Sequence, residues 1–157
     1  MVATHPTDPD LPAGGRFVGR EHRFALRVYF EDTDLSGIVY HANYLRFMER
    51  ARSDMLRAAG IDQRAAFEAG EGAYAVRDLS IRYAAPARLD DALVVASRLV
   101  RVRAAAAIIH QRVMRGETIL TDARVEADFI TPDGRPRRQP AEWMRIFEPL
   151  LWPDDVN

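Results

Sequence analysis

Two periods alternate along this chain of 157 residues, and their order predicts the architecture. Residues 23–30, RFALRVYF, alternate strictly: Phe24, Leu26, Val28 and Phe30 fall on one side, Arg23, Ala25, Arg27 and Tyr29 on the other. A period of two is that of a strand with one buried face. After Gly37 the period lengthens. Tyr44, Phe47, Met48, Ala51, Met55 and Ala58 or Ala59 recur at three- and four-residue steps, opposite Arg46, Glu49, Arg50, Arg52, Asp54 and Arg57. This predicts a helix of about four or five turns that starts near His41 or Ala42 and stops at Gly60 in the C′ position. A weaker helical patch covers Gln63 to Glu68.

Period two then returns four times. DLSIRY turns Leu79, Ile81 and Tyr83 inward; ALVVASRLVRV (92–102) and AAAIIHQRVM (105–114) are long runs with a tight reversal around Arg103. ILTDARVEADFI sets Ala123, Val125, Ala127 and Phe129 against Asp122, Arg124, Glu126 and Asp128. Long runs joined by short turns, at Gly116-Glu117 for the last pair, predict an antiparallel meander. Strand, long helix and four strands together predict an α+β fold: one central helix on a five-stranded antiparallel sheet. Pro6, Pro9, Pro12, Gly14, Gly15 and Gly19 mark residues 1–20 as a flexible tail ahead of a domain over 21–150, and RPRRQPAEWMRIFEPLLW holds a short helix starting near Pro140.

Composition then removes several chemistries. The length suits one domain with a core of useful size. The chain has no cysteine, which excludes disulfides, a thiolate nucleophile and a Cys-based zinc site. All 22 basic residues are arginine, so a Schiff-base lysine and a Walker-type P-loop are excluded too. A net charge of −1 gives no field for nucleic acid, and no apolar run reaches the length of a membrane span. With no signal-peptide pattern at the N-terminus, the expected compartment is the cytoplasm.

The chemistry concentrates in EDTDLSGIVYHANY, residues 31–44, at the seam between the first strand and the helix. A calcium loop would need further oxygen ligands and a glutamate at its twelfth position. A Ser–His–Asp triad of Ser36, His41 and Asp34 lacks the nucleophile elbow and the separated segments that triads use. What distinguishes the stretch is its place before a helix N-terminus. The first N–H groups of a helix have no internal acceptors and carry the positive end of its dipole. A carbonyl placed there is polarised and its oxyanion stabilised. Asp34 precedes His41 by seven residues, on a loop that Gly37 lets fold back. A carboxylate beside an oxyanion site is the minimum equipment for acyl transfer.

VYFEDTDLSGIVYHANYLRFMERARSDMLRAAGI, with the later PARLDD and GRPRRQP, resembles the hotdog-fold acyl-CoA thioesterases. The likeness lies in the 4-hydroxybenzoyl-CoA thioesterase branch, nearest the Tol–Pal-associated YbgC type, and covers most of residues 22–140. It implies a long helix wrapped by an antiparallel sheet, and subunits paired edge to edge as a homodimer or homotetramer with active sites at the interface. It implies that Asp34 is the catalytic carboxylate and that His41 supplies the backbone donor, its side chain marking the YbgC branch. Ser36 departs from the alanine or glycine usual in the family, and the segment before His22 is extra.

The remaining residues are weighed beside that pattern. Gly37, Tyr40 and Asn43 are expected to shape the substrate site, while Asp32 is expected to serve the loop or the helix cap. Glu49 is expected to pair with a neighbouring arginine. Arg135, Arg137 and Arg138 are candidates for the phosphates of coenzyme A, because guanidinium suits phosphate; Arg88 is expected to pair with Asp90 or Asp91. No metal or redox cofactor is implied, coenzyme A being part of the substrate; acyl carrier protein is a further candidate partner. Two alternatives stay open: a hotdog enoyl-CoA hydratase or dehydratase, and a non-catalytic acyl-binding or assembly module of the cell-envelope machinery.

Overall fold

A computed structural model describes residues 8–153. The strands are β1 (Arg16–Val18), β2 (Glu21–Arg27), β3 (Ala73–Tyr83), β4 (Ala92–Val102), β5 (Ala106–Arg115) and β6 (Thr118–Ile130). The helices are α1 (Asn43–Ala58), α2 (Gln63–Glu68) and α3 (Ala141–Phe147). All strands lie in one sheet of order β1-β2-β4-β5-β6-β3, antiparallel throughout.

The predicted alternation holds along β6, where Ala123, Val125, Ala127 and Phe129 are all buried. These side chains meet the apolar stripe of α1. Tyr44, Phe47, Met48 and Ala51 pack with Val28, Leu93, Val95, Val113 and Val125 in one core cluster. A second cluster joins Met55, Leu56 and Ile61 to Leu99, Ile109, Phe129, Trp143 and Phe147, so α3 closes the far end of the core. At that end α1 stops as predicted. Gly60 has φ +93°, and the Ile61 N–H donates to the Leu56 carbonyl at 2.9 Å, which terminates the helix in the Schellman manner.

Four expectations are corrected. The sheet has six strands rather than five, because β1 forms inside the expected tail. Phe17 packs on the second cluster, and the Gly15 N–H donates to Asp54 at 2.8 Å. A Cβ at Gly15 would lie 2.5 Å from the Arg23 carbonyl, so glycine is needed there for space. Residues 1–7 of that tail lie outside the described residues. Packing also passes the other expected bound at 150: the Trp152 N–H donates to Leu99 and its indole N–H to Arg20. The meander holds for β4–β6 alone; β3 pairs with β6 and becomes the sheet edge. Lastly, Phe30 does not extend the first strand. It enters a 3₁₀ turn, Phe30–Asp32, and is 81 % exposed.

Candidate active site

That turn opens the loop between β2 and α1, and Asp32 holds it together. Its carboxylate is 4 % exposed and accepts from the Tyr29 N–H at 2.8 Å and from the Asn43 amide at 2.5 Å. Its carbonyl accepts from the Tyr40 N–H. Asp32 thus ties both limbs of the loop to the first residue of α1, the loop role expected for it. Asn43, expected to shape the substrate site, is buried, and its amide nitrogen donates to Asp32.

Two residues on, the environment reverses. Asp34 is exposed at a reversal in which the Gly37 N–H donates to the Asp34 carbonyl. Gly37 has φ +79°, a conformation that favours glycine, and nothing lies within 4 Å of where a Cβ would stand, so the turn itself calls for glycine there. One carboxylate oxygen of Asp34 accepts from both the Ser36 N–H and the Ser36 hydroxyl. These two donors, with a smaller effect of the nearby His41 imidazole, hold the Asp34 carboxyl below the ordinary aspartate value. The second oxygen has no partner among the described residues.

The helix starts slightly later than expected. Ala42 is the N-cap and Asn43 the first helical residue, while Tyr40–Asn43 form a turn closed by the Asn43 N–H on the Tyr40 carbonyl at 2.8 Å. His41 and Ala42 are the middle of that turn. Among the described residues, neither of their N–H groups meets an acceptor. The His41 carbonyl is fixed by the Tyr83 hydroxyl, which donates to it at 2.8 Å from the end of β3. The His41 ring lies edge-on to Tyr40 and Tyr83, with centroids 4.6 and 6.2 Å away. A 16-residue helix begins here with free donors and an ionised carboxylate close by. The arrangement can polarise a carbonyl and deliver a nucleophile or base to it.

The family model of the thioesterase superfamily matches residues 36–121. An acyl-CoA thioesterase YbgC of Haemophilus influenzae is 43 % identical over 103 residues, covering 66 % of this chain and 76 % of the relative. The chain belongs to the thioesterase superfamily. An acyl-CoA thioester hydrolase YbgC of Escherichia coli O6:H1 is 41 % identical over 128 residues, or 80 % of this chain and 95 % of that one. The crystal structure of a probable thioesterase from Bartonella henselae superposes with a TM-score of 0.73 at 39 % identity, covering 76 % of this chain and 99 % of that one. The fold is the superfamily's hotdog, its long helix laid on an antiparallel sheet.

The other expected site residues of this thioesterase-superfamily chain divide in two. Tyr40 is exposed beside His41. Arg135, Arg137 and Arg138 follow β6 at the opposite end of β3, about 33 Å from Tyr83 at the usual rise per strand residue. Arg137 donates to the Gly70 and Glu71 carbonyls and Arg135 pairs with Asp133. One subunit therefore does not bring the arginines to Asp34. Arg88 meets Asp91 through its backbone N–H, while Arg115 forms the ion pair. Sequence reasoning missed Ser36 and Tyr83 as groups that organise the site. A serine two residues after an aspartate is a legible turn signal; Tyr83 lies 42 residues from His41 and gave no local sign.

Proposed function

We propose that this chain hydrolyses acyl-CoA thioesters at the loop before α1. The observation that carries this is the half-free, ionised Asp34 carboxylate beside the unbonded N–H groups of His41 and Ala42. The thioester carbonyl docks on those donors, and the charge developing on its oxygen meets the positive end of α1. Asp34 either takes a proton from the attacking water and passes it to the departing coenzyme A thiolate as the C–S bond breaks, or attacks the carbonyl carbon itself. That attack expels the thiolate, which takes a proton from solvent, and leaves an acyl–aspartyl anhydride that a water then hydrolyses to the free acid and the Asp34 carboxylate. Both routes need the same ionised carboxylate, which the Ser36 donors favour. The two YbgC relatives, whose names state the reaction, support this reading.

The site is completed by a second copy. β3 is an 11-residue edge strand with one side on β6 and the other unpaired among the described residues. Tyr29, Phe30, Leu35 and Tyr40 stand exposed around the loop, an apolar surface of the kind that interfaces cover. Two-fold antiparallel pairing of β3 strands sets the Tyr83 end of one copy beside the Ala73 end of the other. It brings the partner's Arg135 and Arg138 toward the loop, where they meet the phosphates of coenzyme A. Among the described residues no helix is long and apolar enough to cross a membrane.

Free-thiol release from an acyl-CoA panel tests the reaction. Asp34→Asn keeps the size and removes the charge; kcat should fall ~10² or more with the melting temperature unchanged. A variant within threefold of wild type removes Asp34 from the mechanism. Light scattering at micromolar protein should report a dimer or tetramer.

A further inference from the structure

One cleft among the described residues lies away from Asp34, and none of its lining residues belongs to the loop before α1. A cavity of about 250 Å³ sits between the second half of α1 and the strands. Met55, Leu56, Val76, Leu99, Ile109 and Phe147 supply its apolar wall, while Glu49, Ser53 and Gln63 add polar groups at its α1 and α2 side. Arg52 also stands in that wall. The helical period places Arg52 with the solvent-facing residues, yet its guanidinium turns inward and donates to Gln111 Oε1 at 2.9 Å. Gln111 is fully buried, and its amide nitrogen donates to the Met48 carbonyl at 3.0 Å and to Ser97 Oγ at 2.9 Å. Those two bonds fix which way the amide points, so its oxygen faces Arg52.

Buried polar groups thus hold a cation at the wall of an amphipathic cavity, which Glu49 also lines, and give it one neutral acceptor. Among the described residues no carboxylate lies within 4.0 Å of the guanidinium; Glu49, expected to pair with an arginine, stays exposed. Desolvation acts against the charge of Arg52, and the more distant Glu49 acts for it. A guanidinium has five N–H donors in a planar fork that matches a carboxylate, and a half-buried one with most of them unused is costly.

We propose that this cavity receives the acyl part of the substrate and that Arg52 selects acyl groups ending in a carboxylate, the mono-CoA thioesters of dicarboxylic acids. The proposal rests on the thioesterase reading and on the β3 pairing above. Tyr74, Ala75 and Val76 line the cavity from the Ala73 end of β3, the end that pairing sets beside the partner's Asp34–His41 loop. The methylenes run along the apolar wall and the distal carboxylate meets Arg52. A methyl-ended chain of equal length leaves the guanidinium desolvated and unpaired, and a site built for a polar group discriminates strongly against the analogue that lacks it.

The test measures kcat/KM for thiol release on matched CoA thioesters of one chain length, ending in a methyl group, a carboxylate or that carboxylate's methyl ester. The wild type should favour the carboxylate about tenfold or more over both others. Arg52→Met should bring the three within about threefold of one another. Glu49→Gln, which removes a competing negative charge, should widen the wild-type preference. Equal rates for carboxylate and ester in the wild type overturn the proposal whether or not Arg52→Met folds; so does a preference that survives Arg52→Met. Hydrolysis of the methyl-ended thioester without carboxylate preference leaves the thioesterase reading standing, whereas no thiol from any member of the panel brings down both.

Discussion

Asp34 with His41, and Asp54 with His22, are the same two residue types in two settings on one strand–helix unit. The second pair lies under β1. His22 is fully buried and its Nε2 is 2.8 Å from Asp54, whose carboxylate also accepts from the Gly15 N–H. His22 Nδ1 has no partner among the described residues, so a second ring proton would be a buried donor without an acceptor. Burial accordingly lowers the His22 pKa, against the opposing pull of Asp54. At the loop, by contrast, the carboxylate keeps one oxygen free and the imidazole is exposed. Proximity of an acid and a histidine says little about chemistry. What matters is whether either still has an unspent atom that a ligand can reach.

The contrast is broken most sharply at the helix start. His41→Ala keeps the backbone donor and should retain much of the activity. His41→Pro removes it; proline suits the second position of the Tyr40–Asn43 turn, so the variant should fold yet lose ~10²–10³ in kcat, the usual cost of one oxyanion donor. Equal losses in the two variants would assign the role to the imidazole.

The buried pair should respond in stability instead. Asp54→Ala leaves the His22 ring nitrogen and the Gly15 N–H without their shared acceptor, for about 3 kcal/mol. Calorimetry should show a melting temperature lower by roughly 6–12 °C, with kcat of the folded fraction unchanged. Because the His22 pKa is lowered in the folded chain, the unfolded chain binds the extra proton first as the pH falls. Wild-type stability should therefore decline below about pH 6.5, and Asp54→Ala should change that slope.

Ser36 tests the smallest difference. Ser36→Ala removes the hydroxyl donor that is the main cause of the lowered Asp34 pKa. The acid limb of the kcat profile should move up toward the ordinary aspartate range, with less than a tenfold change at pH 7. An unmoved limb would mean that another group titrates there.

Much of this contrast was legible in the chain. The stretch EDTDLSGIVYHANY marked the loop because a helix start and a free carboxylate are local properties. β4, β5 and β6 were legible because each buries one face. The misses share a cause in tertiary context. β1 is a three-residue strand whose reason to form is Asp54, far along the chain. Arg52 and Asp54 carry charge on the polar side of the helical period, yet each is drawn in by a buried partner from a distant segment, Gln111 and His22. β3 begins at Ala73, five residues before the alternation in DLSIRY announces it, because its first half is held by register with β6 across an irregularity between Val76 and Asp78.

That pairing of β3 with β6 also sets an order in time. Tyr83 meets Thr121 and Ala73 meets Ile130, so the strand leaves the ribosome 38 to 57 residues ahead of its mate. At ordinary elongation speeds the nascent chain carries β3 for roughly 2–11 s with neither side paired. Closing so distant a pair is entropically late, whereas β4, β5 and β6 can zip locally. Arg77, Asp78 and Arg82 stud the waiting strand with charge of both signs. Charges placed so disfavour pairing of an unfinished edge with the wrong chain before its own partner arrives.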